Sequence, residues 1–401
     1  MAVPKLRFKE FDGGWTSKQL GKIIGISSAS RVFKEQWQDS GVPFFRTSDV
    51  VSIFKNKENE KAYISLELFE ELAKKSGKIK QGDLLVTGGG SIGIPYLVPN
   101  DQPLYFKDAD LLWMKSSGIV EGSFLYNFFI SPKFREYLKS ISHTGTISHF
   151  TIEQAKATPF GFPSKEEQTK IASFLSNVDE KISQLTQKHQ LLSQYKQGMM
   201  QKLFSQQLRF KADDGSEFGE WEDVNLGEIV KIKSGYSPSK YDLKDKGNIP
   251  FLKVEELNNC VKFQKDSRFY AESFESDLIL KNSIIFPKRG AAILNNKVRI
   301  LSVDSLLDSN LMALIPSKSI FYEYLYYLVT FIELFKIADT SSIPQINNKH
   351  IEPMPILYPC LEEQTKIANF LSAIDQKIEV VAQQIEQAKT WKKGLLQQMF
   401  V

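Results

Sequence analysis

The chain has 401 residues, 42% of them hydrophobic, enough to build real cores and, at this length, two or more domains. Only Cys260 and Cys360 are present, which excludes a disulfide framework and a Cys/His metal cluster, and the start MAVPKLRFKEF lacks an apolar signal region, so an intracellular, cytoplasmic protein is expected. A net charge of +4 is too small to establish nucleic-acid binding by itself.

Residues 1–163 read as a strand-rich globule. Short β-branched and aromatic runs such as Val42-Pro43-Phe44-Phe45 and Leu84-Leu85-Val86 are punctuated by Gly, Pro and Asn, and Phe124 to Ile141 reads as a helix packed on them. Gly88-Gly89-Gly90-Ser91-Ile92-Gly93 follows an apolar strand and contains a GxGxxG pattern. The two prolines of Ile94-Pro95-Tyr96-Leu97-Val98-Pro99 oppose the helix that a dinucleotide site needs, so the loop is read as a close backbone approach to a phosphate or groove.

Residues 164–210 read as a long helix, with Ile171, Leu175, Val178, Ile182, Leu185, His189 and Leu192 spaced alternately by four and three, the seam of a coiled coil. His189 is a polar seam position that helps to fix register. Glu166 and Glu167 fall in the first turn, where the helix dipole favours anions.

Residues 211–358 read as a second globule on the same framework. Trp15, Leu20, Gly21 and Ile23 match Trp221, Leu226, Gly227 and Ile229; Val42 to Phe45 match Ile249 to Leu252; Asp108-Ala109-Asp110-Leu111 resembles Asp308-Ser309-Asn310-Leu311. The glycine loop returns as Lys288-Arg289-Gly290-Ala291-Ala292-Ile293, which keeps one glycine and gains two cations. Phe321 to Ile337, the most apolar stretch, is interrupted by Glu323 and Glu333 and reads as a buried helix, not a membrane span. Residues 211–358 as a whole carry a charge of −3, so any DNA binding by the second globule would require a local basic patch.

Residues 359–401 return to the helix. Residues 166–204 and 362–400 align without a gap at an offset of 196, with 18 identities in 39 pairs, and Ile367, Leu371, Ile374, Ile378, Val381 and Ile385 repeat the seam. Each helix needs an apolar partner, and the other copy supplies one. The fold expected is therefore α+β: two strand-rich domains, each followed by a long helix, the helices pairing as an antiparallel coiled coil in a pseudo-two-fold tandem repeat. Gly198 and Gly394 mark equivalent points of bending or close packing. No Walker loop, no Asn/Asp-Pro-Pro-aromatic motif and no HExxH pair occurs, and the four histidines have no metal-ligand spacing, so the activity expected is recognition and assembly without catalysis.

The order of these motifs resembles the specificity subunits of type I restriction-modification systems. The resemblance rests on Phe162-Pro163 before Glu166-Glu167-Gln168-Thr169-Lys170-Ile171, on Tyr358-Pro359 before Glu362-Glu363-Gln364-Thr365-Lys366-Ile367, on Pro43-Phe44-Phe45-Arg46-Thr47-Ser48-Asp49 with Pro250-Phe251-Leu252-Lys253-Val254-Glu255-Glu256, on Ser234-Gly235-Tyr236-Ser237-Pro238-Ser239, and on Gly82-Asp83-Leu84-Leu85-Val86-Thr87. It implies two target recognition domains, each reading half of a split site in double-stranded DNA, and helices that set the spacing and dock two methyltransferase subunits. Those partners would carry S-adenosylmethionine, with none bound by this chain, and restriction/translocase subunits would complete the assembly. The residues proposed to meet DNA are Arg31, Lys34, Arg46, Ser91, Thr144, Ser148 and His149 in the first domain and Ser237, Lys240, Lys253, Lys288, Arg289, Ser342, Gln345 and Asn347 in the second. The competing reading is a non-enzymatic scaffold in which a coiled coil joins two domains with unrelated ligands. A diverged nuclease or methyltransferase is disfavoured, because it would need its own cofactor loop and Pro-Pro-aromatic motif.

Overall fold

The computed structural model describes residues 3–108, 110–141, 149–272, 275–339 and 343–401. They fall into two compact units, Met1–Thr186 with Ala382–Val401, and Gln187–Val381. The α+β tandem architecture expected from the duplication is observed, but the units do not divide at the junctions between globule and helix. Each long helix, Lys165–Phe204 and Leu361–Met399, contributes residues to both units. The reason is packing: the apolar residues at the start of each helix are part of a globule's core.

In the first unit the central strand Leu84–Thr87 lies antiparallel between Leu111–Met114 and Pro95–Leu97, with Ile26–Ser27 at the far edge. Successive side chains of a strand point to opposite faces, and here both faces are covered. Leu84, Val86, Leu112 and Met114 join Phe124, Phe128, Ile171, Leu175, Leu396 and Phe400 on one side. Leu85, Leu111 and Trp113 join Val50 and Phe106 on the other. A smaller sheet, Tyr63–Ile64, Val42–Phe45 and Tyr105–Phe106, carries the helix Thr47–Phe54 at its end. The strand Thr16–Gln19 pairs with Pro159–Phe162 and closes the globule just before the long helix begins.

The second unit repeats this plan. Ile284–Pro287 lies between Leu311–Pro316 and Arg299–Leu301, Ile249–Leu252 anchors the small sheet, and Glu222–Asn225 pairs with Pro355–Tyr358. Ile284, Phe286, Met312 and Leu314 face a core that includes Met200, Leu203, Ile367 and Leu371, while Ile285 and Ala313 face the opposite cluster.

Within each unit the two helices run antiparallel, pinned by ion pairs at equivalent places. Lys392 Nζ lies 2.5 Å from Asp179 Oδ1 in the first unit and Lys196 Nζ 2.6 Å from Asp375 Oδ1 in the second. The seam positions Ile171, Leu175, Val178, Leu185, Ile367, Leu371, Ile374, Val381 and Ile385 are buried, and Ile182, Ile378 and His189 are half-buried.

Two helices differ from the sequence reading. The stretch from Phe124 to Ile141 is two helices, Gly122–Ile130 and Pro132–Ser140, because Ser131 caps the second and Pro132 starts it. Tyr322–Ile332 ends at Glu333, which adopts φ 58°, and a 3-10 turn Leu334–Ile337 follows. Among the described residues no helix is long and apolar enough to cross a membrane.

Glu166 and Glu167 both lie in the first turn of the long helix, as expected, and differ in burial. Glu166 is exposed in the first turn, as the dipole argument requires, but Glu167 is buried and binds chain elsewhere. Its carboxylate accepts from Arg7 Nε at 2.7 Å, Arg7 Nη2 at 2.6 Å and Trp15 Nε1 at 3.3 Å. Glu363 does the same with Arg209 at 3.1 and 2.7 Å and Trp221 at 3.2 Å. Hydrogen bonding to the carboxylate raises both arginines above their ordinary range against the opposing effect of burial. The next residue completes the latch: Gln168 bonds the backbone of Glu121, Ile119 and Pro163, and Gln364 that of Phe321, Ser319 and Pro359. The EEQ repeat is thus the joint between each globule and its helix.

Candidate DNA interface

The glycine loop of the first unit is a hairpin tip, not a nucleotide fold. Leu84–Thr87 turns back into the antiparallel strand Pro95–Leu97 with no intervening helix. Gly93 N donates to Thr87 O, and the Thr87 hydroxyl accepts from Ile94 N and donates to Ser91 O. Gly90 and Gly93 have φ 67° and 71°, and a Cβ on Gly93 would lie 2.8 Å from Phe134 and 2.9 Å from Leu138, so glycine is required there. Arg135 holds the loop from beneath, donating to Ile92 O at 3.1 Å and Gly93 O at 3.3 Å, and burial lowers its pKa.

Around this tip the chain gathers several sequence-predicted residues. Gly88 N bonds Asp110 O, Gly89 bridges His149, and the Thr47 hydroxyl, at the start of a helix, reaches Asp110 O. Arg31 pairs with Asp108 at 3.1 Å. Arg31, Ser91 and His149 are thereby linked through one set of loops, and all three are exposed. His149 also lines a cleft of about 700 Å³ with Ile26, Ser27, Leu112 and Lys156, and the buried Ser27 hydroxyl has no hydrogen-bond partner among the described residues. Lys34 is exposed on the turn Lys34–Gln36. Thr144 and Ser148 lie outside the described residues.

The matched place in the second unit is built alike and furnished differently. Lys288 N bonds Asn310 O, Ile346 N bonds Lys288 O, and Arg289 bridges Gln345. Gln345 Nε2 donates to Asn347 Oδ1 at 2.9 Å. Lys288, Arg289, Gln345 and Asn347 therefore form one cluster of donors and acceptors; Ser342 lies outside the described residues. Neither Lys288 nor Arg289 has an acidic side chain within ion-pair distance among the described residues. Burial first, then the neighbouring Arg289, lowers the Lys288 pKa, with Asp308 opposing. A phosphate brought here relieves that repulsion.

Three predicted cations are engaged within their own domains. Arg46 bonds Asp49 at 2.9 Å and the Glu60 carbonyl and lies over Trp37, and its bonds to Asp49 raise its pKa. Lys240 lies 2.5 Å from the buried Asp277 and 3.7 Å from the Tyr236 ring centroid. Lys253 covers Phe269 at 3.9 Å. Ser237 shares a hydrogen bond with Ser239 on the exposed turn beside Tyr236. Thr47, Arg135, Tyr236 and Asn310 were not singled out by sequence reasoning. Thr47 could have been found two residues after the matched Pro-Phe-Phe strand and Asn310 as the last polar residue of the matched Asp-x-Asp/Asn segment.

Two like-built globules that carry different polar clusters at the same hairpin, on helices that are nearly the same, define a two-site recognition protein. The chain belongs to the type I restriction-modification DNA specificity family: the family model described as Type I restriction modification DNA specificity domain matches residues 12–194 and again 219–390. The type I restriction enzyme MjaIX specificity subunit of Methanocaldococcus jannaschii is 25% identical over 418 residues, covering 97% of this chain and 94% of that protein. The fold is shared with the S subunit of a type I restriction-modification system from M. genitalium, at TM-score 0.58, 18% identity and coverage of 100% and 99%. It is shared too with a chain from a study of complex assembly and conformational transition in a type I system, at TM-score 0.61, 18% identity and coverage of 96% and 97%.

Proposed function

We propose that each unit reads one half of a bipartite DNA target with the loops around its central hairpin, and that the chain contributes specificity while partner subunits do the chemistry. The observation that carries this reading is the contrast between Gly88–Gly93 with Arg31 and His149 and Lys288–Arg289 with Gln345 and Asn347. Framework and loop position are kept while the hydrogen-bonding groups change, as two readers of different base sequences require. The long helices would bind two modification subunits holding S-adenosylmethionine, with restriction subunits joining that assembly, and would set the unspecified gap between half-sites.

Purifying the chain alone and with the products of its neighbouring genes tests this. With labelled S-adenosylmethionine and DNA, the isolated chain transfers no methyl group and the co-purified complex methylates adenine. Transfer by the isolated chain, or failure of any methyltransferase to co-purify, refutes the reading and leaves the two-domain scaffold in its place. Seven residues added after Leu185 and after Val381 keep the alternation of four and three. At 1.5 Å rise per residue they should lengthen the gap by roughly 3 base pairs.

A further inference from the structure

The second globule has a strand without a counterpart among the described residues of the first, and beside it a buried cation reaches the long helices. Phe263–Gln264 pairs parallel to Arg299–Leu301 at the edge of the sheet, whereas the first sheet ends at the matching strand Pro95–Leu97. The side chain of Lys262, just before the extra strand, is only 10% exposed. Its ammonium lies 2.6 Å from Glu323 Oε2, donates to the Tyr327 hydroxyl at 2.9 Å and the Ser372 hydroxyl at 3.2 Å, and sits over the Tyr327 ring. Tyr327 carries the connection on, donating to Asp375 Oδ2 at 2.6 Å, and Asp375 holds Lys196. Burial first, then Asp375, raises the Tyr327 pKa, so the hydroxyl keeps the proton that it donates. One polar chain thus joins the sheet edge, the helix Tyr322–Ile332 and both long helices.

The matching place in the first globule is left open. Phe124 and Tyr324 stand at the same point, edge-on to Trp15 at 5.9 Å and to Trp221 at 6.5 Å, so Ser123 and Asn127 match Glu323 and Tyr327. Asn127 turns back onto its own helix, donating to Ser123 O at 2.8 Å, and its buried Oδ1 has no partner among the described residues. The Asp179 side chain is 47% exposed, against 22% for its counterpart Asp375. Both globules share an apolar core and the EEQ joint with their helices, so attachment does not need the extra chain. A buried ion pair adds little net stability over apolar packing, but it restricts its partners to one arrangement. Here the partners are the helices and a strand next but one to Ile284–Pro287, which runs into Lys288 and Arg289.

We propose that Lys262 is a positioning residue that locks the tilt of the second reader on its helices, so that play between the two half-sites comes from the first reader alone. This rests on the functional reading above. Changing the gap by one base pair shifts a half-site by about 3.4 Å and turns it by roughly 35° about the duplex. Releasing the clamp adds a second source of play, and tolerance of a wrong gap rises.

The test uses the full chain assembled with the modification subunit encoded beside it. Methylation rates are measured on DNA with unchanged half-sites and a gap that is correct, one base pair shorter or one longer. Lys262→Met with Glu323→Gln removes both charges together, so neither is left buried alone. This variant should lose about fivefold of the wild-type preference for the correct gap. Base preference within both half-sites should stay as it was. Tyr327→Phe, which removes only the oxygen joining Lys262 to Asp375, should shift the gap preference in the same direction and serves where the double variant fails to fold. A gap preference that stays at its wild-type value overturns the proposal. Equal slowing at all three gaps also overturns it, because that marks a merely structural contact, and so does relaxed choice of bases. A wild-type complex that methylates no split site, or ignores the gap, overturns the functional reading instead.

Discussion

Replacing Glu363 by glutamine should loosen the second unit while leaving the first intact. The carboxylate is fully buried and takes two hydrogen bonds from Arg209 and one from Trp221, and the Arg209 side chain is only 23% exposed. An amide of the same shape has one acceptor oxygen and no charge, so it cannot hold a guanidinium with two parallel bonds. Arg209 keeps its bond to Gly219 O at 2.7 Å but loses its counter-ion in a site with little water. Removing one member of a buried pair costs about 3 to 5 kcal/mol, and the partial exposure of Arg209 puts this case near 3. In a unit of roughly 200 residues each kcal/mol moves the melting temperature by about 2 to 4 °C, so a fall of about 6 to 12 °C is expected. Glu167→Gln should act alike on the first unit through Arg7, whose side chain is 14% exposed. Hydrogen exchange followed by mass spectrometry locates the damage: amides of Ile284–Pro287 lose protection in the first variant and those of Leu84–Thr87 in the second. A shift under about 1 °C, or equal loss of protection in both units from either single change, would show that the EEQ repeat is not the joint described above.

Other expectations follow from the hairpin tips. Lys288→Ala and Arg289→Ala should each weaken DNA binding by the assembled complex and lower the slope of log affinity against log salt by about 1. A slope that stays at its wild-type value with both changed would remove this pair from the phosphate-contacting surface. Gly93→Ala should cost more stability than Gly290→Ala. Both residues have positive φ, but a Cβ on Gly93 runs into Phe134 and Leu138 while one on Gly290 meets nothing within 4 Å. The φ penalty common to both is about 1 kcal/mol, so chemical denaturation giving equal losses would mean that the rings beneath Gly93 move aside freely.

The parts of this architecture that were legible in the sequence are those set by local periodicity. The repeated seam from Ile171 to Leu185 and from Ile367 to Ile385 needs only the spacing of apolar residues, and the matched strands Val42–Phe45 and Ile249–Leu252 need only their neighbours. The joint between globule and helix was not legible, because Glu167 finds Arg7 across 160 positions. Its signal was present, since Leu6-Arg7-Phe8 returns as Leu208-Arg209-Phe210, but at a different offset from the helices. The equivalence is structural as well: Leu208 N bonds Lys202 O as Leu6 N bonds Gln398 O, and Phe8 and Phe210 each contact the matching phenylalanine of a long helix at 5.6 Å. Candidate DNA contacts divide for a similar reason. That Arg46 and Lys240 would be tied to Asp49 and Asp277, and that Lys288 and Arg289 would have no carboxylate partner among the described residues, depends on side-chain placement that residue type and spacing do not specify.

The account's central claim, that the two globules read independently, is tested most directly by exchanging one of them. Residues 12–160 are replaced by the corresponding segment of a relative with a known target, the chimera is expressed with the unaltered modification subunit, and methylated adenines are mapped across the genome of the host cell. One half of the methylated sequence should become that of the relative, with the other half and the gap between them unchanged. A change in both halves, or in neither, in cells where the chimera assembles and methylates, would contradict the account.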